Sequence, residues 1–201
     1  MNFNYKDNYT LENDFVLLRP LQMEDKELLI DYAVNEPEIW RYNINGGNGL
    51  ANYESYINTA IALRESEKQY PFIVFNKQTN EYAGMTRYYE LSNEFKRLEI
   101  GYTWYGKKHQ GTGLNKNCKY LLLSFAFDTL GMIRVGFGAN IHNDRSIRAM
   151  KSIGCKEEGI MRQYTRDADG NVVDRIVLSI LKEEWNAGVK EQLKNKISQS
   201  H

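Results

Sequence analysis

The sequence predicts a mixed α/β domain in which helices pack against one central sheet. Three observations support this prediction. Strand and helix patterns follow one another in the order strand, two helices, three strands, helix, strand, helix, two strands. The 201 residues, of which 42% are hydrophobic, suit one domain with a substantial core. No linker, internal repeat or low-complexity segment divides the sequence, so we expect a single folded unit.

The first third of the chain predicts one strand and two helices. A short strand at 15–20 ends at Pro20, because proline has no amide hydrogen to donate. Apolar residues on one side and acids in the first turn predict a helix at 23–34. Residues 43–52 are glycine-rich and predict a flexible loop, after which Asn52 is expected to cap the second helix.

The middle of the chain is dominated by strand patterns. Strands at 70–75 and 82–89 flank a turn and predict a hairpin, and a further strand is expected at 98–105. A long apolar helix then runs to Leu130, and a short strand follows at 133–137.

The last part of the chain predicts a helix, a hairpin and a tail. The helix runs over 143–153, with Asn143 as its cap, and strands at 159–166 and 172–181 form the hairpin. The polar residues after 184 predict a frayed helical tail. We divide the chain into an N-terminal extension at 1–13, a domain at 14–185 and a polar tail at 186–201.

The composition argues against several classes of protein. The 26 Lys+Arg and 26 Asp+Glu residues cancel, so binding of nucleic acid by bulk charge is not expected. The N-terminus shows no signal-peptide pattern, and no apolar run reaches the ~20 residues of a membrane span. Cys118 and Cys155 have no metal-type spacing, and the three histidines supply no close pair of ligands. We therefore expect a cytoplasmic protein with reduced core thiols, no metal, and no nucleic acid or membrane partner.

The most informative segment is YGKKHQGTGLN at 105–115, between a strand end and the start of a long helix. Amides at a helix N-terminus have no intrahelical partner, and glycines let the backbone approach an anion closely. The segment predicts a phosphate or pyrophosphate cradle, although an ordinary glycine turn before a helix has the same local pattern.

Two common phosphate motifs fit this segment poorly. Gly106 and Gly111 have the spacing of a nucleotide P-loop, but Thr112 stands where that motif needs lysine. A dinucleotide motif needs a third glycine, where this chain has Lys116, and an acidic residue after the next strand. A nucleotide-dependent function is therefore disfavoured.

A third motif extends well beyond the loop. The helix start QGTGLN at 110–115 resembles the coenzyme A pyrophosphate loop of the GCN5-related N-acetyltransferase (GNAT) superfamily. Further matching segments occur in the same order: LLRP at 17–20, EIGYTW at 99–104, NDRSI at 143–147, IGC at 153–155, EG at 158–159 and LSIL at 178–181. The chain looks most like the branch that includes ribosomal-protein N-terminal acetyltransferases.

This resemblance implies the GNAT acyl-CoA N-acyltransferase fold and direct transfer of an acetyl group from acetyl-CoA to an amine. In that fold, a mostly antiparallel twisted sheet with helices on both faces splays open between its fourth and fifth strands, here 98–105 and 133–137. The pantetheine arm pairs with the freed backbone in this gap, much as an added strand would. Tyr105 and Gly106 would supply main-chain groups at this point, and a backbone amide near Trp104 and Tyr105 would polarise the thioester carbonyl.

The resemblance also assigns a pyrophosphate site to the loop and the helix start. Its residues are Gln110, Gly111, Thr112, Gly113, Leu114 and Asn115. Lys108 stands where the family usually has Gln or Arg, and it keeps the positive charge. The candidates for the nucleotide phosphates are Lys107, Lys108, His109, Lys116 and Lys119. A solvated basic face is the favoured alternative for Lys107 and Lys119.

Acetylation needs a neutral amine and a proton for the departing thiolate. Glu99 is the candidate base, and a surface salt bridge with a neighbour such as Arg97 is an equally weighted alternative. Met150 stands where many members of the superfamily have a proton-donating tyrosine. Tyr164 is a fallback donor, with core packing as its favoured role.

Two residues of the predicted helix at 143–153 match a pattern of the N-terminal acetyltransferase branch. Ser146 matches Asn-x-x-Ser, which places a hydroxyl near the CoA sulfur, and a capping role for this serine is equally weighted. Asn143 is expected both to cap the helix and to contact the pantetheine.

The acceptor remains open at this point, as a protein or peptide N-terminus or a small-molecule amine. We expect its site to be formed by the first two helices, the loop at 43–52 and the final hairpin. Most of the aromatic residues in this region are expected to be core: Trp40, Tyr42, Tyr53, Tyr56, Tyr88 and Tyr89. A non-catalytic acyl-CoA-binding regulatory module is the alternative function, and the protein is expected to be a monomer or a homodimer.

Overall fold

A computed structural model of the protein describes residues 1–43, 46–167 and 169–199. Its strands are β1 (Leu11–Glu12), β2 (Val16–Pro20), β3 (Gln69–Asn76), β4 (Glu81–Ser92), β5 (Arg97–Tyr105), β6 (Arg134–Asn140), β7 (Lys156–Arg166) and β8 (Val172–Leu181). They form one sheet in the order β1-β2-β3-β4-β5-β6-β8-β7. Neighbouring strands are antiparallel except for β5 and β6, which are parallel. The predicted mixed, mostly antiparallel sheet is confirmed.

Helices cover both faces of this sheet. They are α1 (Lys26–Asn35), α2 (Leu50–Glu65), α3 (Leu114–Ser124), α4 (Asp144–Ser152), α5 (Lys182–Glu184) and α6 (Lys190–Ser198). Successive strand residues point to opposite faces, so Ile73 packs in the cluster that contains α1 and α2, and Val74 packs in the cluster that contains α3. The two faces of the sheet therefore have separate apolar cores.

The β5–β6 pair separates after three residue pairs. Arg97, Leu98 and Glu99 pair with the first residues of β6, and the pairing stops at Glu99 and Gly136. β6 stays paired with β8 along its whole length, whereas β5 follows β4 away from it. The gap predicted between these two strands is present.

A bulge in β5 accompanies this separation. The register with β4 shifts next to Tyr102, whose φ of +50° is left-handed. The bulge lies just beyond the last residue pair with β6, so Tyr102 and Thr103 belong to the part of β5 that has no partner on β6.

The start of α2 differs from the prediction. The helix begins at Leu50 after Gly49, whose φ is +79°, so Asn52 is not the cap. The Asn52 side chain instead donates to the carbonyl of Asn48. Part of the predicted loop at 43–52, residues 44–45, lies outside the described residues.

Both terminal segments contribute to the α3-side core. The predicted tail is helical, but it is not merely a frayed polar segment, because Leu193 of α6 is buried and α6 packs against α3. Trp185 is also buried and donates from Nε1 to Asp128 at 3.1 Å. At the other terminus, Phe3 is buried against the rings of Tyr70 and Tyr88. Apolar contacts at single positions thus anchor segments whose composition is mostly polar.

Candidate active site

The glycine loop presents a row of backbone amides at the open end of the gap. Gly111 and Gly113 have φ values of +78° and +87°, which only glycine adopts readily. Within the described part of the chain, the amides of residues 111–116 have no hydrogen-bond acceptor. Because these amides precede and open α3, they add to the positive end of its dipole. The loop is therefore suited to hold an anion.

Gln110 holds this loop between two other elements. Its Nε2 donates to the carbonyl of Tyr105 at 2.8 Å, and its Oε1 accepts from Arg145 of α4. Thr112 adds a turn of its own by donating to the carbonyl of His109 at 2.8 Å. The side chains of Gln110 and Thr112 thus fix the loop shape, which leaves the backbone of the segment to face a ligand.

The cationic residues before the loop lie in different environments. Lys107 pairs with Glu38, and Lys108 is exposed and pairs with Glu81 at 2.7 Å. His109 is buried, so it does not face a nucleotide phosphate as the sequence suggested.

His109 anchors the loop from below. Its ring nitrogens hydrogen-bond with the Tyr32 hydroxyl at 3.1 Å and the Asn76 side chain at 3.3 Å. Burial lowers the pKa of His109, with the charge of Lys108 acting in the same direction, so the ring is held neutral.

Lys119 is buried, against the expectation that it belongs to a solvated basic face. Its side chain points from α3 to β5, where Nζ donates to the Thr103 hydroxyl at 2.8 Å. The Thr103 hydroxyl also hydrogen-bonds with that of Thr86 at 2.8 Å. Lys116, by contrast, is half-buried in the first turn of α3. Helical spacing alone did not distinguish these two lysines.

Trp104 and Tyr105 project to opposite faces of β5, as strand geometry requires. Trp104 lies on the α2 side and donates from Nε1 to the Tyr56 hydroxyl at 3.2 Å. Tyr105 lies on the α3 side and donates to Asn115 at 3.3 Å, while Leu114 is fully buried beneath the helix start. With both side chains packed away, the main chain of this segment is the part that borders the gap.

Glu99 belongs to the last residue pair between β5 and β6, at the end where the gap is closed. Its Oε2 accepts from Arg175 of β8 at 2.5 Å, and Arg175 also donates to the Tyr89 hydroxyl at 3.1 Å. The partner is therefore not Arg97, which the sequence suggested. A Cβ at Gly136 would lie 2.9 Å from the Glu99 side chain, so the glycine gives this carboxylate its space.

The start of α4 confirms the predicted cap. Asn143 Oδ1 accepts from the Ser146 amide at 3.1 Å. The Ser146 side chain is half-buried, and no hydrogen bond to its hydroxyl is found among the residues that the structure describes. Met150 is buried in the core. Tyr164 is 54% exposed, with Arg175 over its ring, so the expected core packing is wrong.

Sequence reasoning missed two arginines near the bulge, the half-buried Arg175 and the buried Arg87. Arg87 is 2% exposed and lies between the rings of Tyr56 and Tyr102, with its guanidinium carbon 4.5 and 4.7 Å from their centroids. The available signal was a charged residue inside the apolar strand pattern of β4.

The aromatic residues predicted near the acceptor are mostly core. Trp40, Tyr53, Tyr56 and Tyr88 are buried. Tyr88 lies on the α3 side, where its hydroxyl donates to the Leu122 carbonyl at 2.6 Å. Over residues 1–43, 46–167 and 169–199, no cluster of three potential metal ligands occurs, and no helix is long and apolar enough to cross a membrane.

Comparisons with known proteins agree with this geometry. The family model of the acetyltransferase (GNAT) domain matches residues 16–156. The uncharacterized N-acetyltransferase p20 of Bacillus licheniformis is 28% identical over 177 residues, which cover 88% of this chain and 98% of p20. YdaF of Bacillus subtilis, whose name proposes a ribosomal N-acetyltransferase, is 26% identical and aligns over 86% of this chain and 94% of its own.

A solved structure supports the fold independently. The crystal structure of a GCN5-related N-acetyltransferase from Brucella melitensis superposes with a TM-score of 0.86 at 23% identity. The superposition covers 96% of this chain and 87% of that one.

Proposed function

Because the chain belongs to the GNAT acetyltransferase family, we propose that it transfers an acetyl group from acetyl-CoA directly to a primary amine. One observation carries this proposal. The gap between β5 and β6 ends at the loop amides of residues 111–116, which lack acceptors within the described part of the chain. An extended pantetheine arm can pair with the free edge of β5, and its pyrophosphate can then bind the amides at the α3 start.

The site residues take the following roles in this proposal. The backbone of the loop from Gln110 to Asn115 binds the pyrophosphate, with Lys108 at its periphery. An amide near Trp104 and Tyr105 polarises the thioester carbonyl. Asn143, already the cap of α4, also contacts the pantetheine from the opposite side of the gap.

The amine must lose a proton, and Glu99 is the carboxylate best placed to receive it. It lies where the strands diverge, and Arg175 donates a hydrogen bond to its carboxylate. Ser146 presents a hydroxyl from the α4 side, where the sulfur of a bound acetyl-CoA is expected. Direct transfer then needs no covalent enzyme intermediate.

The acceptor class is proposed from the name of a relative. YdaF carries a name that proposes a ribosomal substrate, which favours a protein N-terminus. We rank a peptide N-terminus first and a small-molecule amine second, with the acceptor entering on the face covered by α1 and α2. Tyr102 is half-exposed at the bulge, and the exposed Tyr164 lies under the guanidinium of Arg175, which also contacts Glu99.

Thiol release from acetyl-CoA tests the function. Purified protein is incubated with acetyl-CoA and a panel of peptides that begin with alanine or serine, together with small primary amines. The control peptides have the same sequences and acetylated N-termini. We expect release with at least one free amine and none with its blocked form. Acetyl-CoA binding without release on any amine would instead support a non-catalytic acyl-CoA-binding module.

A further inference from the structure

Lys119 is a buried amine that no carboxylate compensates. It is 5% exposed, and Nζ donates to the hydroxyls of Thr103 at 2.8 Å and Thr86 at 3.4 Å. None of the ion pairs among the described residues includes it. A buried lysine without a counter-ion lowers the stability of a fold, so its presence beside a cleft points to a role in the chemistry there.

The titratable groups around Lys119 are neutral, so they do not compensate its positive charge. On its own helix it adjoins Cys118, and Cys155 approaches from the turn after α4. Burial raises the pKa of the Cys118 thiol to about 11 and raises that of Cys155 as well, so both are neutral. Burial also keeps the Tyr105 phenol neutral by raising its pKa. Burial lowers the pKa of Lys119 itself to about 8.

Thr103 connects this amine to the gap. It belongs to the part of β5 that has no partner on β6, directly after the bulge at Tyr102. Thr103 is half-buried, whereas Thr86 on the neighbouring strand is fully buried. Of the two threonines that Lys119 contacts, Thr103 is the one that is not fully buried, and it lies on the stretch of β5 that has no partner on β6.

We propose that Lys119, acting through the Thr103 hydroxyl, stabilises the departing CoA thiolate and supplies its proton. The inference rests on the proposed function, and it assigns the proton donor that Met150 does not provide. An ammonium that donates to a hydroxyl oxygen polarises the O–H bond and makes that hydroxyl a stronger donor. Lys119 is in this sense a positioning residue, because Thr103 is the group that contacts the sulfur.

The step balances as follows. The acceptor nitrogen bonds to the acetyl carbon, and the carbon–sulfur bond breaks with its electron pair on sulfur. The Thr103 proton passes to sulfur while a Lys119 proton replaces it, which leaves neutral Lys119 and the CoA thiol. The acceptor nitrogen releases one proton to its base or to water, and Lys119 regains one from solvent.

The thiol pKa of bound CoA tests the proposal without an acceptor. Thiolate absorbance of protein-bound CoA is followed against pH, with acetyl-CoA, which has no thiol, as the spectroscopic blank. The variants are Lys119→Met, which keeps the length and removes the charge, and Thr103→Val, which keeps the shape and removes the hydroxyl. Thr86→Val removes the other hydroxyl, and Lys194→Met removes an exposed lysine.

We expect the bound thiol of the wild type to titrate about half a unit below that of Lys119→Met, because the ammonium favours the thiolate only while Lys119 keeps its proton. Thr103→Val should lose most of this shift, Thr86→Val less than half of it, and Lys194→Met none. Thr103→Val also serves as the test if Lys119→Met fails to fold. In the variants that lose this shift in the thiol pKa, the fall of kcat at high pH should disappear as well.

Two different results would overturn the inference. If CoA binds and its thiol titrates alike in the wild type, Lys119→Met and Thr103→Val, then Lys119 has no part in the chemistry and the proposed function stands. If calorimetry detects no CoA binding to the wild type, the proposed function fails and the inference fails with it.

Discussion

The closed and open ends of the β5–β6 gap treat polar groups in opposite ways. At the closed end, the Glu99 carboxylate, the Arg175 guanidinium and the Tyr89 hydroxyl satisfy one another. At the open end, the amides of residues 111–116 find no acceptor in the described part of the chain. Glycines appear at both ends, but Gly136 makes room for a side chain, whereas Gly113 sets a left-handed turn.

The closed end therefore helps to hold the fold together, whereas the open end can bind a ligand. At the closed end, the side chains hydrogen-bond with one another and hold the two diverging strands in place. They leave few hydrogen-bond donors free for an anion. Unsatisfied amides at a helix start are ready to bind one, and no movement of side chains is needed to expose them. We therefore expect substitutions at the open end to act on acetyl-CoA binding and those at the closed end to act on turnover.

The largest effect is expected from Gly113→Glu at the open end. A side chain there is strained at a φ of +87°, and the added carboxylate repels a pyrophosphate. We expect calorimetry to detect no acetyl-CoA binding. Gly131→Glu, beyond the C-terminal end of α3, is the control, since Gly131 also has a left-handed φ, +70°, with open space around it.

The two glycine variants should differ in binding while both remain folded by circular dichroism. Equal acetyl-CoA affinity in Gly113→Glu, Gly131→Glu and wild type would remove the loop from the binding site. It would also cancel the distinction between the two ends of the gap.

At the closed end, Glu99→Gln should lower kcat by about 100-fold, because a positioned base contributes about that much or more. Acetyl-CoA affinity should stay within about twofold, since the loop is unchanged. The measurement is the pH profile of kcat with an accepted amine. Glu158→Gln, which breaks a comparable carboxylate–arginine pair with Arg134, is the control and should leave kcat unchanged. A Glu99→Gln enzyme as active as wild type at every pH would exclude Glu99 as the base.

Between the two ends, Lys119→Met should raise stability at neutral pH. The lysine pKa falls on folding to about 8, so the unfolded chain binds more protons than the folded one between about pH 8 and 10.5. The stability cost of Lys119 is therefore full below pH 8 and is relieved as pH rises.

We expect Lys119→Met to exceed the wild type by about 3 kcal/mol at pH 7 and by about 1 kcal/mol at pH 9.5, as measured by urea unfolding. Lys194→Met should show a difference near zero at both pH values. An advantage of Lys119→Met that does not change with pH would show that packing, and not the buried charge, sets the difference.

The smallest effect is expected from Lys108→Met, at the edge of the open end. Lys108 is exposed and already pairs with Glu81, so its loss should weaken acetyl-CoA binding by only about threefold at low salt. Titrations at two salt concentrations check this, because screening should remove the difference. A loss as large as that of Gly113→Glu would place the lysine, and not the backbone, at the centre of the site.

Local patterns predicted the features that depend on neighbouring residues. Strand and helix order follows from hydrophobic periodicity, and the Asn143 cap follows from a side chain three residues before the amide that it accepts from. Gly111 and Gly113 were identified because glycine is needed where the backbone turns left-handed before a helix. The binding end of the gap was therefore visible in the sequence.

Long-range packing determined what the sequence did not reveal. Glu99 meets Arg175, which lies 76 positions further along the chain, so no local spacing predicts their contact. Lys119 is buried because α3 places it against β5, and a helical pattern cannot distinguish it from the half-buried Lys116 one turn away. The start of α2 was missed because Gly49 opens the helix without the side-chain cap that Asn52 seemed to offer.

Calorimetric titration of the full chain with acetyl-CoA tests the central claim most directly, because it needs no knowledge of the acceptor. We predict saturable one-to-one binding to the wild type that is lost in Gly113→Glu and retained in Gly131→Glu. No detectable binding to the wild type would contradict the claim that the gap and its amides form an acetyl-CoA site.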